Sequence, residues 1–145
     1  MFDNILVPFD GSVGAERALR KAAELAKASD ANLCVLTVFR HHSMLEASFS
    51  MVRPNDPGNM DDIMRSAARD VAETAKNLAK EAGVEKVRAF VKSGHASRTI
   101  VGFAKEHDID LIVIGSRGLG SVEGYLLGSV SHKVTGLARC PVMVV

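Results

Sequence analysis

The chain has 145 residues, 47% of them hydrophobic and 24% charged. That suits one domain with one sizeable core and excludes a disordered chain. A net charge of +1, with Lys and Arg spread along the sequence, is not the footprint of a nucleic-acid binder, although a small anion needs only local charge. The opening MFDNILVPFDGS lacks the basic region and cleavage site of a signal peptide. No apolar run approaches the ~20 residues that span a bilayer, so a cytoplasmic location is expected. Cys34 and Cys140 have no CxxC spacing and no nearby histidine set, and read as small buried hydrophobes.

Asn4 to Phe9 (NILVPF) reads as a buried strand ending near Pro8. Asp10-Gly11-Ser12 is a turn, with Ser12 placed to cap a helix. From Val13 to Ala28, Leu19, Ala22, Leu25 and Ala26 form an apolar stripe opposite Glu16, Arg17, Lys21, Glu24 and Lys27, as in an amphipathic helix. Asn32 to Phe39 (NLCVLTVF) is a second buried strand. Residues 40 to 59 read as irregular, and a connection of that length is commonly functional. Within it, His41-His42 has no carboxylate support and reads as polar loop. A long helix follows, opened by Asn59, Asp61 and Asp62 and stopped at Gly83. Its expected buried stripe is Ile63, Ala67, Val71, Ala75 and Leu78. Lys86 to Val91 alternates, as a strand with one wetter face does. Ser93-Gly94-His95 turns the chain into a third helix carrying Ile100, Phe103 and Ala104. Asp110 to Ile114 is a fourth strand and Pro141 to Val145 a fifth. This β-α alternation implies an α/β fold with a parallel sheet and helices on both faces, and no composition break divides it.

Between the fourth and fifth strands lies GSRGLGSVEGYLLGSVS, residues 115 to 131, with five glycines and four serines leading into a helical segment. A strand, a glycine-rich loop and a helix start can present backbone N–H groups to an anion. The loop is not a Walker loop, because no glycine is followed by Lys-Ser or Lys-Thr. It is not the dinucleotide fingerprint either: Gly118-x-Gly120 is followed by Gly124, one residue late, and the loop follows the fourth strand rather than the first. There is no GxSxG elbow. What remains is Gly115-x2-Gly118-x9-Gly128-Ser129.

At this point the chain resembles the universal stress protein family, in its ATP-binding branch. That family's loop is G-x2-G-x9-G-[S/T], matched here at every fixed position. The likeness extends along residues 1–145 through I-L-V-P-x-D at Ile5 to Asp10, LCVLTVF, DLIVIGSRG, LLGSVSHKV and CPVMVV. The resemblance implies one doubly wound, five-stranded parallel sheet of order 3-2-1-4-5 (Rossmann-like, of the adenine nucleotide alpha hydrolase kind). It places Pro8, Phe9 and Asp10 at the nucleotide, with Asp10 by the ribose or adenine. The Val38 backbone would face the adenine. Gly115, Ser116, Arg117 and Gly118 would border ribose and phosphates, and Gly128, Ser129, Val130 and Ser131 would bind phosphates. The implied ligand is ATP, with ADP or AMP as alternatives and Mg²⁺ carried with the phosphates, near Asp10. The segment HHSMLEASFSMVRP looks like that of members associated with TRAP-type solute transporters. This makes loop 40–59, with Met44, Leu45, Phe49 and Met51, either a partner surface or a lid. The uncharged last strand, 141–145, is an unprotected sheet edge suited to pairing with a second copy, and the family likeness also points to a homodimer.

Three functions follow. The first is a regulatory module that binds ATP and signals to a partner. The second is a slow ATPase or nucleotide-transfer enzyme, for which Glu123 is the carboxylate candidate within the loop. The third is a nucleotide-independent interaction module. Phosphoryl transfer relies on positioned charge and metal, and this loop has one arginine and no lysine, so the sequence favours binding over efficient catalysis. No role is assigned to Leu119 to Leu127.

Overall fold

Two layers of helices enclose a central sheet in the computed structural model, which describes residues 1–40, 57–118 and 127–145. The strands are β1 (Asn4–Pro8), β2 (Asn32–Phe39), β3 (Val87–Ser93), β4 (Leu111–Ile114) and β5 (Val142–Val144). The helices are α1 (Val13–Ser29), α2 (Pro57–Glu81), α3 (Ala96–Glu106) and α4 (Ser129–Leu137). The sheet runs β3-β2-β1-β4-β5 and every pairing is parallel. This is the Rossmann-like α/β fold the family likeness implied. Strand boundaries expected from sequence shift by at most two residues.

Residue parity explains how both faces are covered. Ile5 and Val7 of β1, Leu33 and Val35 of β2, and Leu111 and Val113 of β4 pack under α1 and α2. The alternate residues Leu6, Cys34, Leu36, Ile112 and Ile114 pack with Ile100 and Phe103 of α3 and Val134 of α4. A strand buried on both sides must be apolar at consecutive positions, which is why NILV and LIVI read as unbroken runs. The α1 face is mostly alanine: Ala15, Ala18, Ala22, Ala23 and Ala26 join Leu19 in the core. Ser12 caps α1 by accepting the Ala15 N–H at 3.1 Å. Asp30, in the left-handed region at φ 52°, ends it.

One expectation is corrected. The buried stripe of α2 is Ala68, Ala72, Ala75 and Ala79, whereas Ile63 is 56% exposed and Ala67 is exposed. Val71 and Leu78 flank the stripe as half-buried neighbours. The helix is thus turned by about one residue from the orientation its larger side chains suggest. A methyl-lined face lets its backbone approach α1 and the sheet, and the bulkier residues fill the sides. The helix also begins at Pro57, where a missing N–H costs nothing, so residues 57 to 59, expected in the connection, belong to the helix.

At the edge farthest from the β-strand carboxyl ends, Asp110 joins β1 to β4. Its carboxylate accepts the Asp3 N–H at 2.8 Å and the Asn4 N–H at 3.0 Å. The opposite ends of β1 and β4 carry Asp10 and the glycine loop. They are adjacent because β1 pairs with β2 on one side and β4 on the other. The winding reverses there, and in such sheets a ligand crevice opens beyond the strand carboxyl ends.

Candidate functional site

The crevice is assembled from backbone packed against backbone. Gly115, directly after β4, is buried against the first turn of α1: a Cβ there would lie 2.7 Å from both the carbonyl carbon and oxygen of Gly14. A Cβ on Gly14 would in turn overlap the Arg117 carbonyl oxygen. Two glycines therefore face each other where helix and loop cross. Gly118 lies against the other loop, since its Cβ would be 2.6 Å from Asp10 Oδ2. Asp10 Oδ1 accepts the Ser12 N–H at 2.9 Å, which holds the turn that aims the carboxylate across the gap.

The two glycine clusters of the loop meet in space although nine residues separate Gly118 from Gly128. The Gly128 N–H donates to the Ser116 carbonyl at 2.6 Å. A Cβ on Gly128 would touch the Arg117 Cα and the Ser116 oxygen, each at 3.4 Å. The buried Ser131 hydroxyl lies 2.9 Å from the Ser116 oxygen and 3.1 Å from the Gly128 oxygen, so it ties α4 to the loop. The Ser116 N–H donates to the Val145 carbonyl at 2.8 Å, and the Val145 N–H to Ile114 at 2.9 Å. The loop is thus anchored to the sheet on the β5 side.

The start of α4 differs from that of α1. Its N-cap residue is Gly128, which has no side chain to cap the helix. The His132 N–H donates to the Gly128 carbonyl at 3.0 Å and begins the helical ladder. The N–H groups of Ser129, Val130 and Ser131 precede that ladder and, as first-turn donors, have no hydrogen-bond partner among the described residues. They carry the positive end of the helix dipole. Ser129 and Arg117 are exposed beside them, and Val130 is half-buried. No acidic side chain lies in that turn.

On the other side of β1, the sheet leaves a second pair of groups open. Phe9 N–H donates to the Leu36 carbonyl at 2.8 Å, and Asn32 N–H to Asp3, so the even residues of β2 face β1. The last paired residues are Pro8 and Leu36. Val38, two residues on, therefore turns its N–H and C=O past the end of β1. Thr37 is buried, and its hydroxyl donates to the Phe9 carbonyl at 2.9 Å. Pro8, Phe9, Asp10 and Val38 thus form the β1–β2 side of the crevice, while 115–118 and 128–131 form the β4–α4 side.

Sequence reasoning missed Gly14. A glycine in the first turn of a helix is a poor helix former, and that unexplained cost is the signal that could have found it. Glu123 and His41-His42 lie outside the described residues, as do 119–126 of the unassigned stretch. So do Met44, Leu45, Phe49 and Met51. Among the described residues, no group of three or more His, Cys, Asp or Glu is arranged to hold a metal ion. No described helix is long and apolar enough to cross a membrane. Both cysteines are free. Cys34 is buried and Cys140 half-buried, and burial pushes each thiol up from its ordinary range. Neither has the depressed pKa of a reactive thiolate.

Comparison with known proteins fits this geometry. The sequence profile of the universal stress protein family matches residues 1–145. The universal stress protein YxiE of Bacillus subtilis (strain 168) is 36% identical over 148 residues, covering 100% of this chain and 99% of its own. A crystal structure of a universal stress protein in complex with cAMP is 28% identical with a TM-score of 0.74, covering 99% of this chain and 96% of that one. The Archaeoglobus fulgidus universal stress protein in complex with dAMP is 28% identical with a TM-score of 0.69, covering 98% and 96%. The chain belongs to the universal stress protein family.

Proposed function

We propose that the crevice between the carboxyl ends of β1 and β4 binds an adenine nucleotide, ATP first and ADP or AMP as alternatives, and that the protein reports nucleotide state to a partner. The observation that carries this reading is the uncapped start of α4, held by the Gly128–Ser116 hydrogen bond directly beside Gly118 and Asp10. Phosphate oxygens would accept the N–H groups of Ser129, Val130 and Ser131, with the Ser129 hydroxyl and Arg117 adding donors. The Ser131 hydroxyl serves as the clasp between loop and helix and contributes its main chain to the anion site. Asp10 is placed to accept a ribose hydroxyl. The outward-facing Val38 N–H and C=O suit the adenine edge. Related solved structures hold cAMP and dAMP, which supports the ligand class.

Mg²⁺ would travel with the phosphates, with Asp10 as the protein carboxylate at the crevice. A catalytic centre for rapid phosphoryl transfer needs more positioned charge than Arg117 and Asp10 supply. A binding module is therefore favoured over an ATPase. Denaturing the purified protein and identifying the released nucleotide by chromatography tests the reading. Recovered ATP supports a non-hydrolysing sensor, ADP or AMP supports turnover, and no nucleotide together with no ATP affinity contradicts both.

The signalling partner in this proposal is a TRAP-type transporter met through loop 40–59, from a cytoplasmic location. Self-association uses β5, which among the described residues is an edge strand paired with β4. Its sequence, VMV, has no charge to prevent pairing. Val144→Lys should therefore convert a dimer to a monomer by light scattering with the circular dichroism spectrum unchanged. A persistent dimer removes this edge as the interface.

A further inference from the structure

We propose a second anion site, separate from the nucleotide crevice, that takes a small organic phosphate monoester in the groove between α3 and α4. The groove is lined by His95, Ser97, Arg98, Lys133 and Leu137 and has a volume of about 370 Å³. That is within the ~300–1,000 Å³ range of small-ligand sites. Its floor is the start of α3. Gly94, at φ 138°, turns the chain out of β3, and His95 occupies the N-cap position without a side-chain capping bond. The Thr99 N–H donates to the His95 carbonyl at 2.9 Å and begins the helical ladder. The N–H groups of Ala96, Ser97 and Arg98 are then first-turn donors. No acidic residue occupies the first turn of α3 or of α4.

A helix start alone would not make a site. The independent observation is Ser97. It is 8% exposed, one of three polar residues counted as buried among the described residues, and it lines the groove. Thr37 and Ser131, the other two, spend their hydroxyls on main-chain carbonyls within hydrogen-bond distance. Ser97 has no such side-chain bond among the described residues. A buried hydroxyl without a protein partner is costly unless something in the groove completes it. Arg98, one residue along α3, and Lys133, across on α4, bring two basic side chains to the same opening. A guanidinium and an ammonium beside free N–H groups and a hydroxyl donor match the oxygens of a phosphate dianion. Leu137, one turn beyond Lys133, is 53% exposed and lines the far side. It supplies an apolar wall for the organic part of the ester. The nucleotide crevice uses the first turn of α4 and the ends of β1 and β4, so this site does not depend on the nucleotide reading.

The test is a titration of the full chain, labelled with ¹⁵N, using inorganic phosphate and phenyl phosphate as probes and amide shifts as the readout. Saturable shifts at Ser97, Arg98 and Thr99 are expected for both probes, with phenyl phosphate tighter by about threefold or more through Leu137. Arg98→Gln combined with Lys133→Gln should weaken both probes by about tenfold or more. Leu137→Ala should remove the advantage of phenyl phosphate and leave inorganic phosphate unchanged. All three positions are exposed, so the native amide pattern should persist in the variants. Linear, non-saturating shifts would overturn the proposal. So would shifts confined to Ser129–Ser131, or an unaltered affinity in the double variant. Equal affinity for the two probes would overturn the ester assignment.

Discussion

Gly115→Val should lower the melting temperature by roughly 5–10 °C, the largest stability loss expected from a single change at the loop. The valine Cβ would have to share space with the Gly14 carbonyl group, 2.7 Å away, and would lie 3.2 Å from the Ala15 nitrogen. Both neighbours are backbone in the first turn of α1, which is pinned by the Ser12 cap and by Ala15 in the core. The strain cannot be relieved by rotating a side chain. Overpacking of this kind costs about 1–3 kcal/mol and sometimes more, and about 2–4 °C is lost per kcal/mol in a chain of this size. Gly102 provides the contrast. It lies within α3, and a Cβ there would meet nothing within 4 Å. Gly102→Ala should raise the melting temperature by a few degrees, because alanine is favoured over glycine in a helix by about 0.8–1 kcal/mol. Thermal denaturation followed by circular dichroism measures both. A Gly115→Val protein as stable as the parent would show that the helix–loop contact is not tight.

Gly118→Val should leave the fold intact while reducing ATP affinity by about a hundredfold or more, a loss near 2.7 kcal/mol. The position is exposed, so the core is untouched. Its Cβ would come within 2.6 Å of Asp10 Oδ2, and the carboxylate must swing away. That movement breaks the arrangement in which Asp10 Oδ1 holds the Ser12 N–H. The two isopropyl methyls would then occupy the mouth between the β1 turn and the start of α4. Backbone could no longer approach a ligand closely there, which is the use to which glycine is suited. Affinity and stability should separate in this variant, whereas in Gly115→Val they should fall together.

Much of the architecture was legible because buried parallel strands advertise themselves as consecutive apolar residues, and NILV, LCVLTV and LIVI all do. The order of the strands was not legible from periodicity. It came from family likeness, because alternation in sequence does not say where the winding reverses. The face of α2 was misread for a related reason. Hydrophobic ranking favours Ile63 over Ala68, but close packing against α1 and the sheet favours the residue that lets two backbones approach. The glycine spacing singled out the loop, and its parts do different work in space. Gly115 and Gly14 serve the crossing of helix and loop, Gly118 lies against Asp10, and Gly128 joins the two clusters through Ser116. Gly14 had no motif to mark it, and its partner lies a hundred residues away in sequence. The Ser131 hydroxyl, which the family likeness assigns to phosphate, is turned inward to the Ser116 and Gly128 carbonyls.

Nucleotide binding in the crevice is measured by a calorimetric titration of ATP into the parent protein and into Gly118→Val. Saturable, one-to-one binding to the parent is expected, lost in the variant, with matching circular dichroism spectra. Equal affinity in two equally folded proteins, or no heat of binding to a parent freed of bound nucleotide, would contradict it.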